Sequence, residues 1–321
     1  MRVIVVGAGL SGLAAGGALQ SAGHEVALFD KGRTPGGRMA TRRIGAATLD
    51  HGAQFFTVRS DTFADWTAPH QASGLVYEWC RGFSGDDGYP RYAVRGGMNA
   101  LAKAFAAPLD VRTDSLVFAI HRTANHPASG SAQPWQVTLD DASVHHADAL
   151  VVTCPLPQTY SLLATAGVEL PADLIRTEYD RTIALLATLD RPSALDAPGG
   201  LQHPTELLSF VTDNHRKGIS SDHAVTVHAG AAWSDAHWGD DTDAIVAALT
   251  DAASPYLGDA VLTAAQVKKW RFATPRTIWP DRCWASADAA APLVLAGDAF
   301  GGPKVEGAVL SGLAAATALL A

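Results

Sequence analysis

The sequence predicts an α/β fold, and three observations carry that prediction. An apolar, β-branched run from Arg2 to Val6 leads into glycines at Gly7, Gly9 and Gly12, in G-x-G-x-x-G spacing. A second strand-like run, Leu293-Val294-Leu295-Ala296, ends in Gly297-Asp298 near the other end of the chain. Between them, strand-like and helix-like segments alternate. The expected architecture is a Rossmann-like nucleotide domain made from both ends of the chain, with an α+β domain inserted between its parts.

The elements follow in order. Arg2 to Val6 is a strand, and Ser11 to Ala22 is a helix that Gly23 ends. Glu25 to Phe29 is a second strand, and Asp30 stands at its end. Arg59 to Ala72 is helical, Gly74 to Trp79 and Arg91 to Val94 are short strands, and Met98 to Ala106 is a helix after Gly96-Gly97. Leu109 to Arg122 reads as strand material, with Gln136 to Leu139 as its hairpin partner across a Pro/Gly/Ser-rich loop at 125–134. Ala149 to Thr153 is a buried strand stopped by Pro155 and Pro157. From Tyr160 to Arg282 helices and strands mix, with strands at Thr182 to Leu189 and Ala224 to Gly230 and a helix at Thr242 to Ala253. Leu293 to Ala296 is a last parallel strand, and a terminal helix begins near Val305. The predicted nucleotide domain is 1–74, 96–158 and 286–321; the predicted substrate domain is 75–95 and 159–285.

Composition narrows the function classes. Hydrophobic residues make up 48% and charged residues 17% of the 321 positions, as in a globular chain with a large core. A net charge of −8 argues against nucleic acid or an anionic membrane as partner. Cys80, Cys154 and Cys283 are few and far apart, which suggests reduced thiols and a cytoplasmic location. No metal-spaced His/Cys cluster occurs, and His145-His146 reads as a solvated turn. Residues 3–22 are almost uncharged, but their ordered glycines favour a nucleotide fold over a leader or membrane span. The apolar stretch Ala308 to Ala321 is too short to span.

The glycine motifs specify the ligand. Gly7 suits a tight turn, Gly9 a close approach of pyrophosphate, and Gly12 the packing of helix on strand. The first helix would point its N-terminus at the phosphates. Asp30 follows Gly12 near the expected offset for a carboxylate that takes ribose hydroxyls. One such motif serves NAD. Two, at Gly7–Gly12 and Gly297-Asp298, suit FAD in a glutathione-reductase-like fold, whose ribityl chain needs its own anchor. Gly36 and Gly37 would admit backbone to the pyrophosphate, and Arg38 would add a permanent cation. Val305-Glu306-Gly307-Ala308 opens the last helix, whose free N–H groups suit the flavin's pyrimidine edge.

The chain resembles the renalase-type FAD-dependent oxidases of the flavin monoamine oxidase superfamily. The resemblance rests on Gly36-Gly37-Arg38, the DHGAQFFT run at 50–57, RYAVRGGMNAL at 91–101, KKWRFATP at 268–275 and GDAFGGPKVEGAVLSG at 297–312. It is weakest from about 160 to 265. Asp30 stands where the family more often has Glu. The resemblance implies that Asp30 and Lys31 meet the adenosine ribose end, that Gly37 and Arg38 meet the pyrophosphate, and that Val117 holds the adenine through its backbone. It implies that Gly297 and Asp298 bind the ribityl or pyrophosphate end, and that Gln54 and Phe55 lie against the isoalloxazine. The Glu306, Gly307 and Ala308 backbone would meet its pyrimidine edge.

The resemblance further implies oxidation of dihydronicotinamide isomers to NAD(P)+, with O2 reduced to H2O2. Hydride loss from a dihydropyridine leaves an aromatic cation, so no general base is expected. Trp270, Phe272, Trp279 and Trp284 are candidate substrate contacts, because a flat nicotinamide stacks on an aromatic face. Nothing in the spacing demands a covalent flavin at Cys283 or His51, so FAD is expected to bind non-covalently. The alternatives are an oxidase acting on a small amine and a flavin-binding protein without turnover.

Overall fold

The computed structural model describes residues 1–83, 85, 87–123 and 132–321. The loop predicted at 125–134 lies outside the described residues over 125–131. In chain order the elements begin with β1 (Arg2–Val6), α1 (Leu10–Ser21), β2 (Glu25–Phe29), β3 (Thr41–Ile44), β4 (Ala47–Asp50), α2 (Asp61–Ala72), β5 (Val76–Cys80), β6 (Arg91–Val94) and α3 (Asn99–Ala106). Next come β7 (Asp110–Arg112), β8 (Val117–Arg122), β9 (Trp135–Leu139), β10 (Val144–Ala147), β11 (Ala149–Val152), α4 (Leu156–Leu163), α5 (Ala172–Ile175) and β12 (Tyr179–Leu189). The chain ends with β13 (Gly200–Gln202), β14 (Leu208–Asp213), β15 (Ala224–Ala229), α6 (Ala231–Ala236), α7 (Thr242–Leu257), β16 (Leu262–Pro275), β17 (Trp284–Ala285), β18 (Leu293–Leu295) and α8 (Val305–Leu320).

The chain forms two compact units. Unit one is 1–37, 102–178 and 275–321, and unit two is 38–101 and 179–274. In unit one a six-stranded sheet runs β17-β18-β11-β1-β2-β7. All its pairings are parallel except that of the edge strand β17. The chain leaves β1 for β2 on one side and later places β11 on the other, so the carboxyl end of β1 is a topological switch point. The chain ends meet because α1 packs on α8. Gly312 allows that approach: a Cβ there would lie 2.1 Å from the Ser11 carbonyl oxygen. A separate meander, β10-β9-β8, completes unit one.

Unit two is built on the sheet β13-β14-β15-β12-β16. One face of this sheet is apolar: Ile183, Leu185, Val211, Val225 and Val227 form a core with Ile245, Leu249 and Ala253 of α7. Strand side chains alternate, so Phe210, Thr212, Thr226 and His228 lie on the other face. Phe210 pairs with His228, and Thr212 with Thr226, across β14 and β15. The hairpins β3-β4 and β5-β6 also belong to this unit.

The units divide the chain at other points than the boundaries expected from sequence. Residues 38–74 and 96–101 group with the five-stranded sheet. The reason is local: Ala47 and Leu49 of β4 pack on Leu186 and Ala224, and the Asp50 carbonyl accepts from Thr226 Oγ1 at 2.9 Å. Residues 159–178 and 275–285 group with the nucleotide sheet, where Trp284 pairs with Leu295 and the Arg276 N–H bonds Glu178 O. His145 and His146 are not a turn; they lie in β10, paired with Val137 and Gln136. Leu109 to Arg122 is two strands, β7 and β8, parted by a turn with Asp114 at φ 49°. No described helix is long and apolar enough to cross a membrane.

Candidate functional site

One candidate region lies in unit one. Gly7 follows β1 with φ 101°, a value that favours glycine, and a Cβ on Gly12 would lie 1.9 Å from the Gly7 carbonyl oxygen. Both positions therefore hold the β1–α1 turn tight. Gly9 differs, because its Cβ would meet no heavy atom within 4 Å. It caps α1 without a side-chain hydrogen bond, so the first-turn N–H groups have no side-chain acceptor there. The buried Ser11 Oγ in that turn has no partner. An uncapped helix start, an orphaned hydroxyl and open space over Gly9 together fit a pyrophosphate.

Around this turn the framework is fixed. Thr153 Oγ1 donates to the carbonyls of Val6 and Gly7 at 3.0 and 3.1 Å. Asp30 accepts from Ala8 N at 2.7 Å and Gly32 N at 2.6 Å, so it also braces the loop it was expected to serve. Each carboxylate oxygen has further acceptor capacity for a ribose hydroxyl. Lys31 follows it, and Gly37 approaches Gly9, whose Cα would be 3.5 Å from a Gly37 Cβ. Val117 is buried at the start of β8, where the register slips between Val117 and Ala119. Gly297 donates from N to Ser311 Oγ at 2.8 Å, which ties β18 to α8, and Asp298 is buried beside it. The cap of α8 at Lys304 supplies no side-chain bond, so α8 also begins open, with Glu306, Gly307 and Ala308 in its first turn. Cys154, at the end of β11, is inert: burial first, and then Asp30, push its thiol up to about 12.

A second candidate region is a wall in unit two. Asp50 is its hub. Oδ2 meets Lys217 Nζ at 2.7 Å, and Oδ1 accepts from Thr41 Oγ1 at 2.5 Å and Met98 N at 2.8 Å. The following segment, His51 to Phe55, hangs from this hub. Gln54 Nε2 donates to the carbonyls of Asp50 at 2.8 Å and Gly52 at 3.1 Å, which leaves its buried Oε1 without a partner. Phe55 packs against Phe83 and Phe210 at ring separations of 5.1 and 5.9 Å, and Trp79 lies 5.1 Å from Phe83.

Two histidines on this wall are neutral. His51 is pulled down to about 3, by burial first and then by Arg42, Lys268 and His228. His228 is pulled down to about 4 by burial, against a hydrogen bond to the His51 backbone that opposes the shift. His51 stacks on Trp270 at 5.4 Å and 22°, and the Trp270 Nε1 donates to the His51 carbonyl at 2.7 Å. His51 Nδ1 and His228 Nε2 are buried without partners.

Of the expected substrate contacts, Trp270 and Phe272 lie in unit two, with Phe272 edge-on to Tyr179 at 5.7 Å. Trp279 and Trp284 lie in unit one, where Trp279 N donates to Ala299 O at 2.7 Å and Trp284 forms the sheet edge. Arg38 directs Nη1 to the carbonyls of Phe272 and Ala273 at 3.2 and 3.1 Å. Sequence reading missed Lys217, Phe210 and His228. His228 had a signal: in Ala224-Val225-Thr226-Val227-His228 the polar residues alternate and mark one face. Burial raises the Cys283 thiol above its ordinary value, which disfavours the thiolate that a covalent flavin link would use.

Known proteins resemble this chain in sequence and in fold. The profile described as NAD(P)-binding Rossmann-like domain matches residues 5–67, and that described as Flavin containing amine oxidoreductase matches 60–320. Hydroxyneurosporene desaturase of Rubrivivax gelatinosus is 45% identical over 58 residues, 18% of this chain and 11% of its own length. The chain thus spans a small part of that relative. Among solved structures, a chain assigned as a protoporphyrinogen oxidase from Exiguobacterium sp. 255-15 aligns with TM-score 0.76 at 14% identity, over 99% of this chain and 98% of that one. Cyclohexylamine oxidase from Brevibacterium oxydans IH-35A aligns with TM-score 0.71 at 14% identity, over the same shares of the two chains. These identities establish the fold alone. The family profile covers more than half of the chain, so the chain belongs to the flavin containing amine oxidoreductase family and is an FAD-dependent enzyme.

Proposed function

We propose that the enzyme oxidises dihydronicotinamide substrates, isomers of NAD(P)H, by removal of a hydride, and that O2 is the electron acceptor. The reading rests on the resemblance of the 50–57 and 268–275 segments to renalase-type oxidases. Within the structure one observation supports it: among the described residues of unit two, the two wall histidines are weak bases and the buried carboxylates are committed. His51 and His228 are neutral, and pKa values of about 3 and about 4 make them weak bases at neutral pH. Both buried carboxylates among the described residues of unit two are committed. Asp50 is held by Lys217, and Asp213 accepts from Ser193 Oγ at 2.6 Å and from the backbone N of His215 and Arg216 at 2.9 Å each. A substrate that becomes an aromatic cation on losing hydride needs no proton removed. FAD, when bound, supplies the hydride acceptor at N5 and passes the electrons on to O2.

In this reading Gly7, Gly9, Gly12, Asp30, Lys31, Gly37, Arg38, Val117, Gly297, Asp298 and the start of α8 serve FAD. Gln54 and Phe55 serve its ring, and Trp270 and Phe272 serve the substrate. A second reading, oxidation of a small amine, is favoured by the family itself. Stopped-flow reduction decides between them. The 1,2- and 1,6-dihydronicotinamide isomers should bleach the flavin fast, and 1,4-NADH slowly, because misplacement of the hydride by about 1 Å costs on the order of 100-fold. Fast reduction by amines with none by the isomers would overturn the proposal.

A further inference from the structure

Two segments of unit two gather positive charge. Residues 38–49 contain Arg38, Arg42 and Arg43, and residues 262–274 contain Lys268, Lys269 and Arg271. Neither segment contains an Asp or Glu, although the whole chain carries a net charge of −8. The fold sets the two side by side. Arg38 Nη1 reaches the carbonyls of Phe272 and Ala273 at 3.2 and 3.1 Å, and Arg42 Nη1 donates to Gln266 Oε1 at 2.8 Å. The later residue of the first segment meets the earlier residue of the second, so the two run in opposite directions along this contact.

These cations are not equivalent. Arg38 is turned to backbone carbonyls, and Lys269 Nζ donates to the carbonyls of Trp238 and Asp240 at 2.7 and 3.0 Å. Side chains alternate along β16, so Gln266, Lys268 and Trp270 share one face. Val267 takes the other face, against the α7 core. Lys268 Nζ sits 5.0 Å over the Trp270 ring, and Trp270 stacks on His51 at 5.4 Å. Arg42 is exposed and is drawn to the same face by its bond to Gln266. A bond to a neutral amide does not offset the Arg42 charge, and the guanidinium has further N–H donors to give. After burial, Arg42 and Lys268 are the next causes that hold the His51 ring neutral, in keeping with two positive charges beside it.

We propose that Arg42 and Lys268 form an anion subsite beside His51 and Trp270, and that it holds a phosphate of a nicotinamide nucleotide. The inference deepens the dihydronicotinamide reading and rests on it. The nicotinamide ring itself offers nothing to a cation, and it becomes positive when hydride leaves. Phosphate is the anionic handle of such a substrate, and the subsite therefore selects the nucleotide over the free base or the riboside. Arg42 supplies a planar fork that fits two phosphate oxygens, and Lys268 supplies a point charge. A local positive patch on an acidic chain also draws an anion to this edge of unit two.

The test is a titration of the oxidised holoenzyme, followed by flavin absorbance, with two pairs of probes. Nicotinamide mononucleotide against nicotinamide riboside reads the phosphate on the nicotinamide ribose, and NADP+ against NAD+ reads the 2′-phosphate. In at least one pair, wild type should bind the member with the extra phosphate at least about tenfold more tightly, as a charge-assisted bond requires. The double variant Arg42→Gln/Lys268→Gln should bring that pair to within about twofold and keep its FAD, while Arg42→Lys, which keeps the charge, should retain part of the preference. The wild-type comparison needs no variant, so it stands whether or not the variants fold. Equal binding within both pairs, no spectral response to any probe, or an undiminished preference in the double variant would overturn the proposal. Loss of FAD from a folded double variant would also overturn it, by assigning the two cations to the cofactor. The broader reading is judged separately by reduction kinetics: isomers that fail to reduce the flavin would reject the substrate, while a phosphate preference that the double variant loses would leave the anion subsite standing.

Discussion

Lys217 and Asp50 form an ion pair with both side chains 0% exposed and Nζ 2.7 Å from Oδ2, although 167 residues separate them in the chain. The pair joins the turn after β14 to the end of β4. Tyr77 OH donates to the Lys217 carbonyl, and Lys217 Nζ sits 5.2 Å over the Trp79 ring. Burial pulls the Lys217 ammonium below the ordinary lysine value, and Asp50 opposes that pull. The wall that carries His51, Gln54 and Phe55 starts at this pair.

Breaking one half should therefore be costly. Lys217→Met leaves Asp50 buried and unpaired, and a loss of about 3–5 kcal/mol is expected. The double variant Asp50→Asn/Lys217→Met should recover most of it, because neither charge then remains. Denaturant unfolding of the three proteins checks this. A single variant as stable as wild type would show that the pair does not hold the wall.

The glycines of the first turn should separate folding from cofactor binding. A Cβ at Gly9 meets nothing, so Gly9→Val should fold with a stability change under about 1 kcal/mol yet bind FAD much more weakly, since the side chain enters the space left for pyrophosphate. A Cβ at Gly12 meets backbone at 1.9 Å, so Gly12→Ala should destabilise the fold itself. Thermal unfolding without FAD and an FAD titration check both. Gly9→Val with wild-type FAD affinity would move the cofactor elsewhere.

These two regions differ in how far sequence alone discloses them. The β1–α1–β2 unit is contiguous and its glycine spacing is a local pattern, so strand, turn, helix and Asp30 are all legible in 30 residues. The wall is assembled from β4, β14, β15 and β16, which meet only in the folded chain. Lys217 sits in Asp213-Asn214-His215-Arg216-Lys217-Gly218, a polar run that reads as a solvated turn, and nothing local marks it as buried. The β3–β4 hairpin was hidden for another reason: Thr41-Arg42-Arg43-Ile44 is strongly charged, and its strand pairing comes from Ala47 and Leu49 seating on Leu186 and Ala224.

The neutral histidines make acid stability a second readout of the wall. Both have folded pKa values below the ordinary 6.5, at about 3 for His51 and about 4 for His228. The unfolded chain therefore binds more protons as pH falls below about 6.5, and stability drops with falling pH until the folded rings also protonate. The shift of His228 alone corresponds to about 3 kcal/mol over that range. Unfolding free energy measured between pH 7 and pH 4 should fall less steeply in His228→Asn than in wild type. Equal slopes would mean that His228 does not titrate as a buried ring.

The same values set the expected pH profile of catalysis. From about pH 6 to about pH 8 neither His51 nor His228 changes charge, because both titrate well below that window. Gln54 carries no ionisable group, so neither it nor the two histidines changes charge across this range. The rate of flavin reduction by dihydronicotinamide isomers should therefore be flat across this range, and should remain flat in His228→Asn even where the rate itself falls. A sigmoid or bell in the wild-type limiting rate would identify a side chain that transfers a proton. Its disappearance in His228→Asn would make His228 that base.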